Sequence, residues 1–203
     1  MHASPPQRRR PHWVALLCAL LVMGLCAQAL ATTVVKMDLA RLVHVSEQIV
    51  EGHVLGARSY IQQGRIYTDI TIKVRARYKG VGPKSVVVRQ QGGRVGDRAT
   101  QVAGQARFAR NEHVVVFLER VKTKSAAPGP LVVTGMSQGK FRVQTSDDGT
   151  SYVVPQIATA ALVDLQKVQG ERPVLVKSAP STLHTQIQPL ADLRADIAAL
   201  ETP

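Results

Sequence analysis

Residues 68–79 read Thr-Asp-Ile-Thr-Ile-Lys-Val-Arg-Ala-Arg-Tyr-Lys, with apolar and polar side chains in strict alternation. Alternation with a period of two is typical of a β-strand that has one buried and one solvated face. We therefore expect the apolar side chains to face a core, and they are Ile70, Ile72, Val74, Ala76 and Tyr78. The same geometry places Lys73, Arg75 and Arg77 together on the solvated face.

Further short strands are predicted on both sides of this segment. They cover residues 49–55, 86–88, 114–118, 131–134, 140–143 and 152–154, and residues 135–139 should form the turn of a hairpin. Gly52 and Gly56 predict a bulge or a bend in the first strand. Several short strands with little helix between them exclude a βαβ plan. The pattern therefore predicts a mainly β fold, built as an antiparallel closed or nearly closed barrel, with a sandwich as the alternative.

Helices are expected before and after these strands. Residues 38–45 predict a short N-terminal helix that Asp38 caps. In the C-terminal part, residues 155–168 predict one helix, and a second should begin after Pro189 with one apolar stripe: Leu190, Leu193, Ile197 and Leu200. We expect this stripe to pack against the barrel, and the alternative is that it binds a partner.

The first 31 residues have the features of a secretory signal peptide. Three arginines precede an uncharged apolar run at 13–27, and small residues follow in Ala27-Gln28-Ala29 and Ala29-Leu30-Ala31. We therefore predict a signal peptide at 1–31, a β-barrel domain at 32–154 and a helical C-terminal extension at 155–203. The exported protein would be periplasmic or extracellular. An uncleaved membrane anchor is the alternative for the first region.

Cleavage after Ala31 would change the composition of the chain. It would leave 172 of the 203 residues, remove both cysteines and lower the net charge from +12 to +9, because three arginines and no acid leave. Residues 58–110 hold 12 lysines and arginines against only Asp69 and Asp97. Almost all of the excess positive charge therefore lies in one stretch of the chain.

This basic stretch contains the side chains that we expect to bind a partner: Lys73, Arg75, Arg77, Lys79, Arg89, Arg94 and Arg98. A cationic strand face attracts anions, so we expect an anionic polymer or an envelope protein, with membrane contact at most peripheral. Nucleic acid is disfavoured because aromatic side chains that could stack on bases are scarce in this stretch. The alternative is a basic face that is merely solvated.

No residue pattern in the chain indicates catalysis. The compact set His44, Ser46 and Glu47 lacks the strand–turn–helix context of a nucleophile. The glycines at 92–96 are not followed by a helix, as a nucleotide-binding loop would be. We therefore predict a secreted, non-enzymatic binding or accessory module with no cofactor and no metal site.

A second function remains open beside this one. His53 and His113 lie on predicted strands and could meet across neighbouring strands, with Glu51 or Glu112 nearby. Imidazole and carboxylate groups together are ligands for metals such as zinc and can also serve in hydrolysis. The alternative is therefore a metal-dependent or hydrolytic protein that uses His53, His113 and Glu112.

The order of these segments resembles a known architecture. The segments are residues 46–54, 68–80, 86–88, 92–93, Phe108, 111–118 and 139–141. Their arrangement is similar to the netrin-like and tissue-inhibitor-of-metalloproteinase group, whose barrels have an OB-type fold, and to uncharacterised secreted bacterial proteins that share this plan. In the inhibitors, an N-terminal cysteine coordinates the zinc of the protease. The chain after the predicted cleavage offers no cysteine, so the resemblance implies the architecture and not the inhibition.

Overall fold

The computed structural model describes residues 37–123, 125–156 and 187–202. This part of the chain is mainly β, with a short helix near each end. Its elements are α1 (Leu39–Val45), β1 (Gln48–Gln62), β2 (Arg65–Lys79), β3 (Ser85–Gln91), β4 (Gly93–Val95), β5 (Arg98–Thr100), β6 (His113–Arg120), β7 (Leu131–Val133), β8 (Lys140–Thr145), β9 (Ser151–Pro155), β10 (Gln188–Pro189) and α2 (Leu190–Glu201). The predicted signal peptide and the predicted helix at 155–168 lie outside the described residues, except for the first two positions of that helix.

Five strands are paired in a ring. Their order is β1-β2-β3-β7-β6, and β6 pairs with β1 again, so that each of the five strands has two neighbours. The pairings are antiparallel except for that of β3 with β7, which is parallel and consists of Val88 opposite Leu131. β8, β9 and β10 continue the sheet from β6. β6 is therefore the strand that joins the ring to the rest of the sheet.

The predicted hairpin between residues 131–134 and 140–143 is wrong. β7 pairs with Leu118 to Arg120 of β6, and β8 pairs with Val114 to Val116 on the same edge of that strand. Between them, the Thr134 N–H donates to the Phe117 carbonyl at 2.9 Å, and the Phe117 N–H donates to the Gly139 carbonyl at 2.8 Å. The two segments thus run one after the other along β6, because a hairpin would leave this edge of a buried strand without hydrogen bonds.

The residues of β6 alternate between two hydrophobic cores. Val114, Val116 and Leu118 belong to one core with apolar side chains of β1, β2, β3 and β7. Val115 and Phe117 belong to the other core, which α1, β8, β9 and α2 complete. Strands that are buried on both faces read as continuous apolar runs, as residues 114–118 do.

Both described helices lie where the sequence predicted them. Asp38 caps α1 by accepting a hydrogen bond from the Arg41 N–H at 2.7 Å. In α2, Leu190, Leu193 and Ile197 are buried in the second core, whereas Leu200 is exposed. The stripe therefore packs mainly against α1 and the sheet, as expected. Neither helix of the described segments is long and apolar enough to cross a membrane.

The hairpin of β1 and β2 carries irregularities at the predicted glycines. The register between the two strands shifts at Glu51/Gly52 and again between Val54 and Gly56. At Gly52 a Cβ atom would collide with the carbonyl oxygen of Lys73, so only glycine allows this close approach of the backbones. These shifts set which side chains of β1 stand beside Lys73 and Arg75 of β2.

The glycine-rich stretch 92–112 covers part of the ring. It begins with the small β4–β5 hairpin, and farther along Ala106 and Phe108 pack into the first core. A cavity of about 500 Å³ lies against this stretch, lined among others by Thr68, Gln90 and Phe108. Phe108 is thus the apolar anchor of a segment that otherwise has little regular structure.

Candidate functional site

The basic residues predicted on one face of β2 differ in environment, and the register with β1 shifts at Tyr78, between the last two of them. Lys73 and Arg75 are exposed, whereas Arg77 and Lys79 are half-buried. On the opposite face, Ile70 and Ile72 are fully buried. The predicted alternation therefore holds most clearly in the middle of β2, and the open part of the basic face is at Lys73 and Arg75.

Three of the predicted basic side chains form hydrogen bonds with other groups of the protein, and they are Arg77, Lys79 and Arg89. Arg77 donates to the Gln48 side chain and to the Pro83 carbonyl, and Lys79 donates to the Val43 carbonyl at 2.7 Å. Lys79 also forms an ion pair with Glu201 of α2 at 2.8 Å. These contacts tie β2 to α1, α2 and the turn after β2.

Arg89 is held in the same way. Its guanidinium donates to both carboxylate oxygens of Asp69, at 2.8 and 3.0 Å, and lies 5.4 Å from the ring centre of Tyr60. The hydrogen bond with Asp69 raises the pKa of Arg89 above its ordinary value. This bidentate pair uses two of the five N–H donors of the guanidinium within the fold.

Arg94 and Arg98 lie apart from this face, on the β4–β5 hairpin. Both are exposed, and they stand on opposite strands of the two-stranded sheet. The start of the hairpin is held near β2, because the Thr68 hydroxyl donates to the Gly92 carbonyl at 2.7 Å. The register pairs Arg94 with Ala99 and Arg98 with Val95, so the two arginines lie on opposite faces of this small sheet.

Lys73 belongs to a row of side chains that crosses three strands. His53 of β1 lies opposite Lys73 of β2 on one side and opposite His113 of β6 on the other. The two imidazole rings stack with their centres 4.5 Å apart and their planes 17° apart. A cavity of about 530 Å³ opens beside this row, lined by His53, Lys73, Val74, Arg75 and Asn111.

A carboxylate is buried behind the row. The Glu51 side chain is 0% exposed, and its Oε1 accepts a hydrogen bond from His113 Nε2 at 2.9 Å. Its Oε2 accepts from the Tyr78 hydroxyl and from the Arg194 guanidinium of α2, the latter at 2.7 Å. Arg75 Nε lies 3.8 Å from Oε1, so its guanidinium reaches from the exposed face toward the same carboxylate.

These contacts fix the charge state of Glu51 and its neighbours. Burial alone would raise the pKa of Glu51, but the hydrogen bonds from Tyr78, Arg194 and His113 outweigh it and hold this pKa below its ordinary value. Burial lowers the pKa of His113, and the bond with Glu51 offsets only part of that effect. Burial together with Glu51 also raises the pKa of Tyr78. Glu51 is therefore ionised, whereas His113 and Tyr78 favour their neutral forms.

The structure joins two of the three residues of the proposed metal or hydrolytic site. His53 and His113 meet, but Glu112 is bound elsewhere, by Lys140 at 2.7 Å, by Arg142 at 2.9 Å and by the Ala109 N–H. Among the residues that the structure describes, no three His, Cys, Asp or Glu side chains are grouped so that they could hold a metal ion. The carboxylate that contacts the histidine pair is Glu51, through its hydrogen bond with His113.

Strand periodicity carried a signal for Glu51. In a strand, residues two positions apart share a face and adjacent residues point to opposite faces. Glu51 therefore shares a face with His53, whereas Glu112, next to His113, does not. The contribution of Arg194 had no such signal, because it comes from a helix 143 positions farther along the chain.

Comparisons with protein-family models, with curated proteins and with solved structures found no match for this chain. Its function must therefore be inferred from the geometry of the residues themselves.

Proposed function

We propose that the chain is an exported, non-enzymatic binding or accessory module that holds an anionic group of a polymer or envelope protein against β2. The observation that carries this proposal is the open pair Lys73 and Arg75. Within the described part of the chain, the Lys73 ammonium has no hydrogen bond or ion pair. The Arg75 side chain is 65% exposed, and its Nε lies 3.8 Å from Glu51 Oε1, beyond hydrogen-bond distance. Their neighbours Arg77 and Lys79 are occupied by the fold.

Electrostatics favours this role for the pair. Like charges held side by side on a rigid strand raise the local positive potential, and a polyanion that binds there releases its condensed counterions. The exposed Arg94 and Arg98 add further positive charge on the β4–β5 hairpin, apart from this pair. Such binding should weaken steeply with salt, because exposed charges are screened over about 8–10 Å at physiological ionic strength.

We also propose that the five-stranded ring is an OB-type barrel of the netrin-like kind. OB folds are five-stranded, partly open Greek-key barrels. The ring supports this proposal through its closure from β6 to β1, and its weakest link, the single parallel pair of β3 and β7, corresponds to a partly open barrel. Residues 1–31, with their basic head and apolar run, support export to the periplasm or the cell exterior.

The second candidate function is a metal-dependent or hydrolytic one. It is favoured by the stacked His53 and His113 and by the carboxylate that orients His113, an arrangement that also positions imidazoles in enzymes. In that case Glu51, in place of Glu112, would be the acidic member. Zinc binding by the purified protein, lost in His53→Gln, would favour this function over the first.

Retention on immobilised heparin, used as a polyanion probe, tests the proposed function. We expect Lys73→Gln/Arg75→Gln to elute at clearly lower salt, with about thirtyfold weaker affinity, since each of the two cations near an anionic surface contributes roughly 1 kcal/mol. The matched control is Arg41→Gln/Lys122→Gln, which removes the same charge from two exposed residues elsewhere on the protein. Equal elution of the two double variants would contradict a site at Lys73 and Arg75.

A further inference from the structure

The cavity beside the histidine row has a composition that suits one small anion. Its wall contains an ammonium (Lys73), a guanidinium (Arg75), an imidazole (His53) and a carboxamide (Asn111). We propose that this cavity is a discrete site for one sulfate or phosphate group and that protonation of His53 strengthens binding there. This inference rests on the proposed function, since it names the group that Lys73 and Arg75 would hold.

The charges around the cavity favour a multiply charged oxyanion. Lys73 and Arg75 bring two positive charges from β2. The acid nearest to Arg75 is Glu51 of β1, which is fully buried and already bound by Arg194 of α2 at 2.7 Å. Four side chains that can donate hydrogen bonds around one concave surface suit the several acceptor oxygens of sulfate or phosphate.

The stack of the two histidines explains why His53 is the member that can respond to pH. An ionised carboxylate only accepts hydrogen bonds, so the Glu51–His113 contact requires a proton on His113 Nε2. Burial favours the neutral form of His113, so a proton on His53 does not place a second imidazolium 4.5 Å away. His53 is exposed and faces the cavity, where an anion would stabilise its charge.

Of the other charged groups near this row, the acid is already paired with cations, and the two cations of β2 oppose a proton on His53. Glu112 precedes His113, but its carboxylate is bound by Lys140 and Arg142. Lys73 and Arg75 repel a protonated His53, and this repulsion falls when a dianion lies among the three cations. Anion binding and proton uptake at His53 therefore favour each other, because each lowers the cost of the other.

Isothermal titration with sodium sulfate at constant ionic strength tests the proposal, because sulfate stays a dianion between pH 5.5 and 8.0. With a third charge a few ångströms from the anion, we expect about fivefold tighter binding at pH 5.5 than at pH 8.0. The imidazole signals of His53 should shift with sulfate in heteronuclear NMR spectra. His53→Gln should bind equally at both pH values, and Lys73→Gln should bind less at both.

Lys122→Gln, which removes an exposed charge outside the cavity, is the control and should bind sulfate like the unaltered protein. Inorganic phosphate at pH 8.0, where it is also mainly a dianion, distinguishes the source of the group: tighter phosphate binding indicates a phosphorylated headgroup or polymer, and tighter sulfate binding a sulfated one. If neither anion shifts the His53 signals while retention on heparin still depends on Lys73 and Arg75, the discrete site is refuted and the basic face stands. If retention is also independent of them, both proposals fail.

Discussion

Glu51 and Glu112 are both buried carboxylates held by two or more cationic or polar groups, yet the two clusters differ in what they contact. Glu112 is 6% exposed and is bound by Lys140, whose side chain is 0% exposed and also donates to the Arg107 carbonyl. Arg142, which is 48% exposed, binds Glu112 from the surface. Glu51 is bound by His113 and by the partly exposed Arg194, and Arg75 lies 3.8 Å away. The Glu112 cluster attaches the stretch 92–112 to the sheet. The Glu51 cluster lies beside the cavity that His53 and Lys73 line.

This difference shows what a buried carboxylate can do in two settings. Around Glu112, the ammonium lies over the Phe108 ring at 4.9 Å and fixes the stretch 92–112 to the sheet. Around Glu51, an imidazole stands between the carboxylate and the solvent-facing His53. The Lys140 ammonium stays charged near neutral pH, so its bond with Glu112 does not change there. An imidazole such as His113 can change its charge in this range, and the charge of the Glu51 cluster can change with it.

The largest expected effect comes from breaking the closed cluster. In Lys140→Met, the methionine fills much of the space of the lysine stem but leaves the Glu112 carboxylate buried with only Arg142 and the Ala109 N–H. Removing one partner of a buried ion pair should lower the free energy of unfolding by about 3 kcal/mol. Urea unfolding followed by circular dichroism measures this loss.

The double variant Lys140→Met/Glu112→Gln is the control for that prediction. It removes the uncompensated charge as well, so we expect it to regain about 1 kcal/mol or more of the loss. A double variant that is less stable than Lys140→Met would contradict the view that the buried charge, and not lost packing, causes the destabilisation.

The sequence alone located most of the strands and the meeting of His53 with His113 near Glu51 or Glu112, but not the full set of partners of either carboxylate. The alternation at 68–79 and the apolar run at 114–118 predicted a half-buried and a fully buried strand, because side-chain burial is a local property of a strand. The end-to-end arrangement of β7 and β8 and the docking of Arg194 on Glu51 depend on contacts between distant segments. Lys79 and Arg89 looked free in the sequence for the same reason: their partners, Glu201 and Asp69, are defined only by the fold.

A smaller effect is expected from the open cluster. Glu51→Gln keeps the shape of the side chain but removes the charge and turns one acceptor into a donor that faces Arg194, Tyr78 or His113. We expect the free energy of unfolding to fall by about 2 kcal/mol, less than for Lys140→Met, because Arg75 and Arg194 can regain water at the surface. Thermal and urea unfolding measure the difference.

Glu47→Gln is the matched control for Glu51→Gln. Glu47 also accepts from an arginine, Arg120, at 2.7 Å, but this pair is partly exposed. Its removal should cost only about 0.5 kcal/mol. Equal losses for the two variants would mean that the burial of Glu51 has no energetic importance.

The smallest expected effect concerns pH and separates the two clusters most sharply. Burial lowers the pKa of His113 in the folded protein below that of an unfolded chain, so the unfolded state binds more protons as the pH falls through the imidazole range. The contribution of neutral His113 is therefore complete above about pH 7 and is lost as the pH falls through its folded pKa. We expect a loss of less than about 1 kcal/mol, because protonated His113 keeps Glu51 as its counter-ion.

His113→Gln isolates this contribution, since the carboxamide can donate to Glu51 but does not titrate. Between pH 7.5 and 5.5, its free energy of unfolding should fall less than that of the unaltered protein. Lys140→Met should keep the unaltered slope in this range, because the contacts of Glu112 include no imidazole. If His113→Gln retains the full slope, the Glu51 cluster is as static between these pH values as the Glu112 cluster, and the distinction between them is one of exposure alone.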